Sequence, residues 1–346
     1  MKKPNINQVA ELAGVSTATV SHVINNTRFV SEEVRTRVLT AIDDIGYYPS
    51  SVARSLASSK SCIVGVIFSE IINPFYTSAY RGIEDELSKY GYDIILTNTG
   101  EDPDKQEAAL ETFFSRSVDG LILAPISYQS KMLKKLRYAG TTIVLFDRSD
   151  PNYPSVVINN EKGAYQIVKH LIDDGHQKIG LISGRKTITT SIERKHGYIR
   201  ALREKNIEIN DQLIYEGNSL QNSGYEGARY LLALDERPSA IFCTNNLMTL
   251  GALHAFRDLK LRCPEEIAFA GFDDHEWADI FTPPLTVVRQ PTYEMGVRAA
   301  QILRERMENE DGKEVDEGKE VFEGDIIVRG SCSPACLSKY MQTITE

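Results

Sequence analysis

Two groups of residues in this 346-residue chain have the types and spacing to do chemistry. The first is Thr17, Ala18, Ser21 and His22. At helical spacing the four share one face near a helix start. That is where a helix lying in the major groove presents side chains to base edges. Asn25 and Arg28, just beyond, offer an amide and a guanidinium suited to phosphate oxygens.

The second group is scattered in sequence but regular in place. Asn73, Phe75 and Tyr76, the pair Asp147 and Arg148, then Arg194, Asn245, Asp273 and Gln290 each come after an apolar run that reads as a strand, or open the helix that follows one. In parallel α/β sheets the carboxyl ends of strands are where ligands bind. The chemistry of the set suits a sugar. Carboxylates and amides take hydroxyls in pairs, an arginine forks across two oxygens, and aromatic faces pack on C–H faces. No metal-ligand cluster, nucleophile motif or catalytic dyad is legible, and the six histidines are dispersed. The residues point to binding without turnover, and to no cofactor.

The elements that position the first group are short. Asn5 and Gln8 form a capping-box pattern before Ile6, Val9, Ala10 and Ala13, which make one apolar face. Gly14 ends that helix, and Ser16 caps a second whose Val20, Val23 and Ile24 face inward. Ser31 caps a third, with Glu32 and Glu33 in its first turn and Val34, Val38, Ala41, Ile42 and Ile45 as its core face; Gly46 ends it. From residue 62 onward apolar runs alternate with helical stretches. Strands are expected at 62–68, 93–97, 118–124, 142–146, 178–183, 239–243, 266–271 and 285–288. Helices are expected at 76–90, 104–116, 161–174, 194–205, 224–234, 246–258 and 292–309. This alternation predicts parallel sheets covered on both faces, with length for two such units.

The net charge of −9 is unevenly spread. Residues 1–60 carry seven Lys/Arg against five Asp/Glu, a net of +2, which leaves −11 for the remainder. An acidic body repels nucleic acid everywhere except at the N-terminal unit, and a +2 unit needs a second copy to bind well. A homodimer is therefore expected. No run of eighteen apolar residues exists and no apolar segment follows the N-terminus, so a cytoplasmic chain without a membrane span is expected. Five scattered cysteines read as free thiols. Cys332 and Cys336 are close, but the sequence shows no metal partners nearby.

Residues 6–25, INQVAELAGVSTATVSHVIN, resemble the headpiece of the LacI/GalR family of bacterial transcription regulators. The matching residues are Val9-Ala10, Ala13-Gly14-Val15-Ser16, Thr19-Val20-Ser21, Val23 and Asn25. The resemblance covers about residues 5–330. It implies an α/β architecture: a helix-turn-helix headpiece (1–48), a hinge helix and linker (49–61), then a two-subdomain, periplasmic-binding-protein-like sensor with parallel sheets (62–330). One subdomain would span about 62–161 plus 291–322, the other about 162–290 plus 323–330, with a tail at 331–346 extending past the core. In the hinge, the resemblance implies that Ala53 and Arg54 lie in the minor groove and that Leu56 is the apolar wedge. In the sensor it implies that the nine strand-end residues contact the effector. One position departs from the family: Ser219 stands where an aromatic often completes a sandwich, which puts ribose itself in doubt. Trp277, the only tryptophan, lies near enough in sequence to contribute, or is a core or interface aromatic.

The resulting expectation is a repressor that binds palindromic operator DNA as a homodimer under control of a small molecule, a monosaccharide such as ribose or a related sugar. A purine or phosphoprotein co-repressor on the same fold stays open. So does a sugar-binding protein with no regulatory role.

Overall fold

The computed structural model describes residues 4–25, 28–48, 61–309 and 318–343. The chain divides into two units, Met1–Cys62 and Ile63–Glu346.

The first unit holds α1 (Ile6–Ala13), α2 (Thr17–Asn25) and α3 (Glu32–Ile45). The capping box of α1 is complete. The Gln8 N–H donates to Asn5 Oδ1 at 3.1 Å, and the Asn5 N–H to Gln8 Oε1 at 3.0 Å. Gly14 and Gly46 end α1 and α3 in the left-handed conformation, at φ 65° and 60°, which costs glycine nothing sterically. Ser16 Oγ accepts from the Thr19 N–H at 3.1 Å and fixes the start of α2. Ser31 differs from expectation. It occupies the N-cap of α3 but its side chain makes no capping bond, leaving Glu32 and Glu33 to complement the helix dipole. Val9, Ala10, Ala13, Val20, Val23, Val38 and Ala41 are the buried core, with Ile6, Val15, Ile24, Val34, Ile42 and Ile45 packed on it.

The second unit has two lobes, each built on a six-stranded sheet. The first sheet contains β1 (Ile63–Phe68), β2 (Asp93–Asn98), β3 (Gly120–Leu123), β4 (Thr142–Phe146), β5 (Ser155–Ile158) and β11 (Lys319–Phe322), in the order β11-β5-β4-β3-β1-β2 and parallel throughout. The second contains β6 (Ile179–Ser183), β7 (Ile214–Glu216), β8 (Ala240–Cys243), β9 (Ala268–Phe272), β10 (Thr286–Arg289) and β12 (Asp325–Ile327). Its order is β12-β10-β9-β8-β6-β7, parallel except for β12. Apart from the added β11 and β12, the two sheets repeat one strand order. It reverses between β1 and β3 in one and between β6 and β8 in the other, opening a crevice at the strand carboxyl ends. Central strands such as GLIL and AIFC are wholly buried, as expected of strands covered on both faces.

The chain passes between lobes after β5, after β10 and after β11. The helix Asn160–Asp173 packs into the core of the second lobe, and the helix Thr292–Glu308 returns to the first. Two stretches lie outside the elements expected from the sequence. Lys319 and Glu320, in none of the expected strands, begin β11. They pair there with β5, and Glu320 accepts from Arg298 at 2.8 Å. An edge strand with alternating exposure tolerates such charges. The tail expected to extend past the core is instead woven into it. Ser331 Oγ donates to the Phe269 carbonyl at 2.7 Å and accepts from the Thr286 N–H at 2.8 Å. Cys332 and Cys336 are buried among the second lobe's apolar residues. Small polar and thiol side chains fit there where larger ones would not.

The helices Gln221–Leu232 and Asn246–Asp258 cross at two glycines. A Cβ on Gly251 would fall 1.9 Å from the Gln221 carbonyl oxygen, so backbone must move to admit it. Gly251→Ala is expected to lower unfolding free energy by about 1–3 kcal/mol, the usual cost of overpacking. A loss below about 0.5 kcal/mol in urea unfolding, within the noise of surface substitutions, would mean that the helix pair slides apart freely.

Candidate functional site

On α2, Thr17 and Ala18 are exposed in the first turn, while Ser21 and His22 are half-buried on the same side. All four lie away from Val20 and Val23, which are in the core. Arg28 is exposed, and Asn25 is the last residue of α2. Ala53, Arg54 and Leu56 lie outside the described residues.

In the sensor, all nine strand-end residues line one cavity between the lobes. From the first lobe, Asn73 caps the helix Pro74–Leu87, with its side chain accepting from the Phe75 N–H at 3.1 Å. That cap turns Phe75 and Tyr76 inward, where both are buried. The Tyr76 hydroxyl donates to Asp147 Oδ2 at 3.1 Å and accepts from Ser69 Oγ at 2.8 Å. From the second lobe come Arg194, Asn245, Asp273 and Gln290. Asn245 caps the helix Asn246–Asp258 through the Met248 N–H at 2.8 Å. The Gln290 amide donates to Asp273, which also accepts from the Asn246 N–H at 3.3 Å. The Asn246 side chain reaches across the cleft and donates to Asn73 Oδ1 at 3.1 Å. With the lobes so joined, the cavity holds about 50 Å³. Ligand pockets usually run to about 300–1,000 Å³, so admitting a ligand requires the lobes to part.

The arginines are less available than the sequence suggests. The Arg148 fork is occupied: Nη2 donates to Glu101 Oε1 at 2.5 Å, and Nη1 to Glu101 Oε2 at 3.2 Å and the Pro125 carbonyl at 2.9 Å. Its Nε lies 3.6 Å from Asp147 without a hydrogen bond. Arg194 donates through Nε to Asn160 at 2.8 Å and through Nη1 to the Thr244 carbonyl at 2.5 Å, and stacks 3.8 Å above the Phe272 ring. Glu101 is the residue sequence reading missed. It follows β2 by three positions, and the rule that found the other nine finds it too when applied to that strand. Trp277 does not line the cavity. It stacks on His275, 6.0 Å between ring centres, in an adjoining groove that shares Phe75, Asp273 and Gln290. Ser219 and Leu220, neither of them aromatic, line the cavity. Cys336, read as having no metal-ligating neighbours, has His170 and Asp174 beside it.

Burial raises the Asp147 carboxyl above its ordinary range, against the pull of Arg148 and Arg194. Burial, then Asp147, raises the Tyr76 hydroxyl well above its own. Burial opposes the charge on Arg148, but Tyr76, Glu101 and Asp147 more than offset it and the guanidinium stays charged. Four acids (Glu70, Glu101, Asp147 and Asp273) thus line the cavity with two arginines, leaving no surplus positive charge for an anionic group. Backbone conformation marks the same place. Eight non-glycine residues among those described have positive φ, and four of them (Glu101, Asp147, Ser219 and Asp273) line the cavity. Each costs of order 1–3 kcal/mol, and such strain gathers at ligand sites.

The headpiece matches the model of bacterial regulatory proteins of the lacI family over residues 5–50, and residues 168–332 match the periplasmic binding protein-like domain. The chain is 37% identical to the HTH-type transcriptional repressor PurR of Mannheimia succiniciproducens over 311 residues, covering 89% of this chain and 93% of that protein. It is 38% identical to PurR of Aliivibrio salmonicida, covering 88% and 92%. Among solved structures it is similar to a complex of the transcriptional regulator CelR with cellobiose (31% identity, TM-score 0.71, 95% of this chain and 100% of that one). It is also similar to a lac repressor dimer bound to operator and the anti-inducer ONPF (26% identity, TM-score 0.81, 96% and 99%).

Proposed function

The chain belongs to the lacI family of bacterial regulatory proteins, and from that premise we propose that it is a DNA-binding repressor whose operator affinity is set by a neutral sugar held between the sensor lobes. Two copies bind a palindromic operator. Thr17, Ala18, Ser21 and His22 read bases, while Asn25 and Arg28 hold phosphates. Ala53, Arg54 and Leu56 act in the minor groove. In the sensor, Asp147, Asn245, Asp273 and Gln290 take hydroxyls, and Phe75 offers its face. The observation that carries the sensor reading is that nine residues drawn from both lobes meet at one cavity. Because both lobes supply ligand contacts, a bound sugar favours one lobe arrangement over another, and only such differential affinity can shift the equilibrium.

A purine co-repressor is the second reading, favoured by the identity to PurR. Against it, a flat base needs two stacking walls, and Ser219 and Leu220, which line the cavity, are not aromatic. The deciding experiment is a thermal-shift panel on the full chain with monosaccharides, cellobiose and purine bases, since a ligand that binds the folded state raises its melting temperature. Stabilisation by a purine and by no sugar overturns the sugar reading.

Two headpiece variants separate base reading from phosphate contact. His22→Ala is expected to weaken operator binding about 10- to 100-fold, the value of about 1–3 kcal/mol for a good base contact, while binding to random DNA holds. Arg28→Ala should weaken both alike and reduce the salt slope by about one. Fluorescence anisotropy across a salt series reads both. Equal loss on the two DNAs for His22→Ala refutes its base-reading role.

A further inference from the structure

Away from the cavity, three metal-ligating side chains converge where the C-terminal helix lies on the second lobe. His170 and Asp174 stand one turn apart at the end of the helix Asn160–Asp173, on the same face. Cys336 comes from the first turn of the helix Pro334–Thr343, held there by its N–H donating to Ser333 Oγ at 3.2 Å. Cys336 Sγ lies 3.1 Å from Asp174 Oδ2 and 3.9 Å from His170 Nε2, and those last two atoms are 3.7 Å apart. A tetrahedral zinc ion with bonds of about 2.0–2.3 Å sets its donor atoms about 3.3–3.8 Å from one another. The three observed edges bracket that range, so shifts of a few tenths of an ångström complete a coordination face. The triangle is reachable from solvent, since the His170 and Asp174 side chains are 20% and 22% exposed while Cys336 is buried beneath them.

We propose that His170, Asp174 and Cys336 bind one zinc ion, with water as fourth ligand, and so staple the C-terminal helix to the second lobe. The donor set selects the metal. Magnesium and calcium take oxygen ligands, whereas thiolate with imidazole favours zinc and its spectroscopic substitute cobalt(II). Binding releases the Cys336 thiol proton to solvent as the Sγ–metal bond forms. Cys332, four residues earlier, is not part of the site, because its Sγ is directed at the Phe269 carbonyl, 3.7 Å away in the core.

The test uses the full-length, tag-free chain after chelator treatment, titrated with cobalt(II) and then zinc(II). One equivalent of cobalt(II) is expected to give a thiolate charge-transfer band with intense d–d absorption of tetrahedral type, both lost on adding one equivalent of zinc(II). Cys336→Ser keeps the size of the side chain and a hydrogen bond to Asp174, and His170→Gln keeps a polar group. Each should lose zinc affinity by at least about 100-fold, the upper end of what even an outer partner's loss costs. Cys332→Ser should bind as before. Weak octahedral cobalt absorption, or a spectrum and zinc affinity unchanged by Cys336→Ser, overturns the proposal.

Discussion

Asp273→Ala is expected to weaken sugar binding about a thousand-fold and to abolish the operator response to sugar, while the variant still binds operator without it. A carboxylate that takes two hydroxyls contributes about 1.5–3 kcal/mol for each charge-assisted bond, and about 4 kcal/mol corresponds to a thousand-fold. Asp273 follows β9 directly, is buried at the cavity wall, and is held by the Gln290 side chain and the Asn246 N–H. Its φ of 81° complicates the alanine variant, because alanine adopts that conformation poorly whereas asparagine tolerates it. Asp273→Asn therefore separates charge from backbone strain. It should retain the melting temperature of the parent and still lose most of the affinity. The measurement is calorimetric titration with the sugar that stabilises the parent most. A parental titration for either variant removes Asp273 from the binding set.

The headpiece was legible nearly to the residue because its signals are local. A capping box, two left-handed glycines and a 3.6-residue apolar period all act within a few positions. Ser31 is the exception, since a serine at an N-cap position does not dictate where its hydroxyl turns. In the sensor the central strands were legible as apolar runs. The short β5, β7, β11 and β12 were not, because three- and four-residue strands, three of them at sheet edges, carry little periodicity. The nine cavity-lining residues could be picked out because strand ends are identifiable once strands are. What they do to one another was not legible. That the fork of Arg148 is taken by a glutamate 47 positions earlier, or that Cys336 meets a helix 162 positions before it, follows only from the sheet order. Positive φ at Glu101, Asp147, Ser219 and Asp273 was equally hidden, since none of them is glycine.

Glu101→Ala is expected to destabilise the sensor by about 3–5 kcal/mol, the cost of leaving one partner of a buried ion pair uncompensated. At about 2–4 °C per kcal/mol for a domain of this size, the melting temperature should fall by roughly 10 °C. Glu101 and Arg148 are both 6% exposed or less, and two hydrogen bonds join them. The comparison is free of backbone effects, because glutamate and alanine both carry a Cβ and bear the left-handed φ of 58° alike. The double variant Glu101→Ala with Arg148→Met removes both charges, and by the same reasoning should recover most of the lost stability. Asp147 is the competing outcome. It lies 3.6 Å from Arg148 Nε, and if it swings to take the freed fork the single variant will lose less than about 1 kcal/mol, no more than an exposed pair contributes. The pair with Glu101 would then be replaceable by one with Asp147, and the Arg148 fork would stay occupied by a carboxylate in either case. A large loss rescued by the double variant instead makes Arg148 a pillar of the first lobe. Hydroxyl recognition then rests with Asp147, Asn245, Asp273 and Gln290.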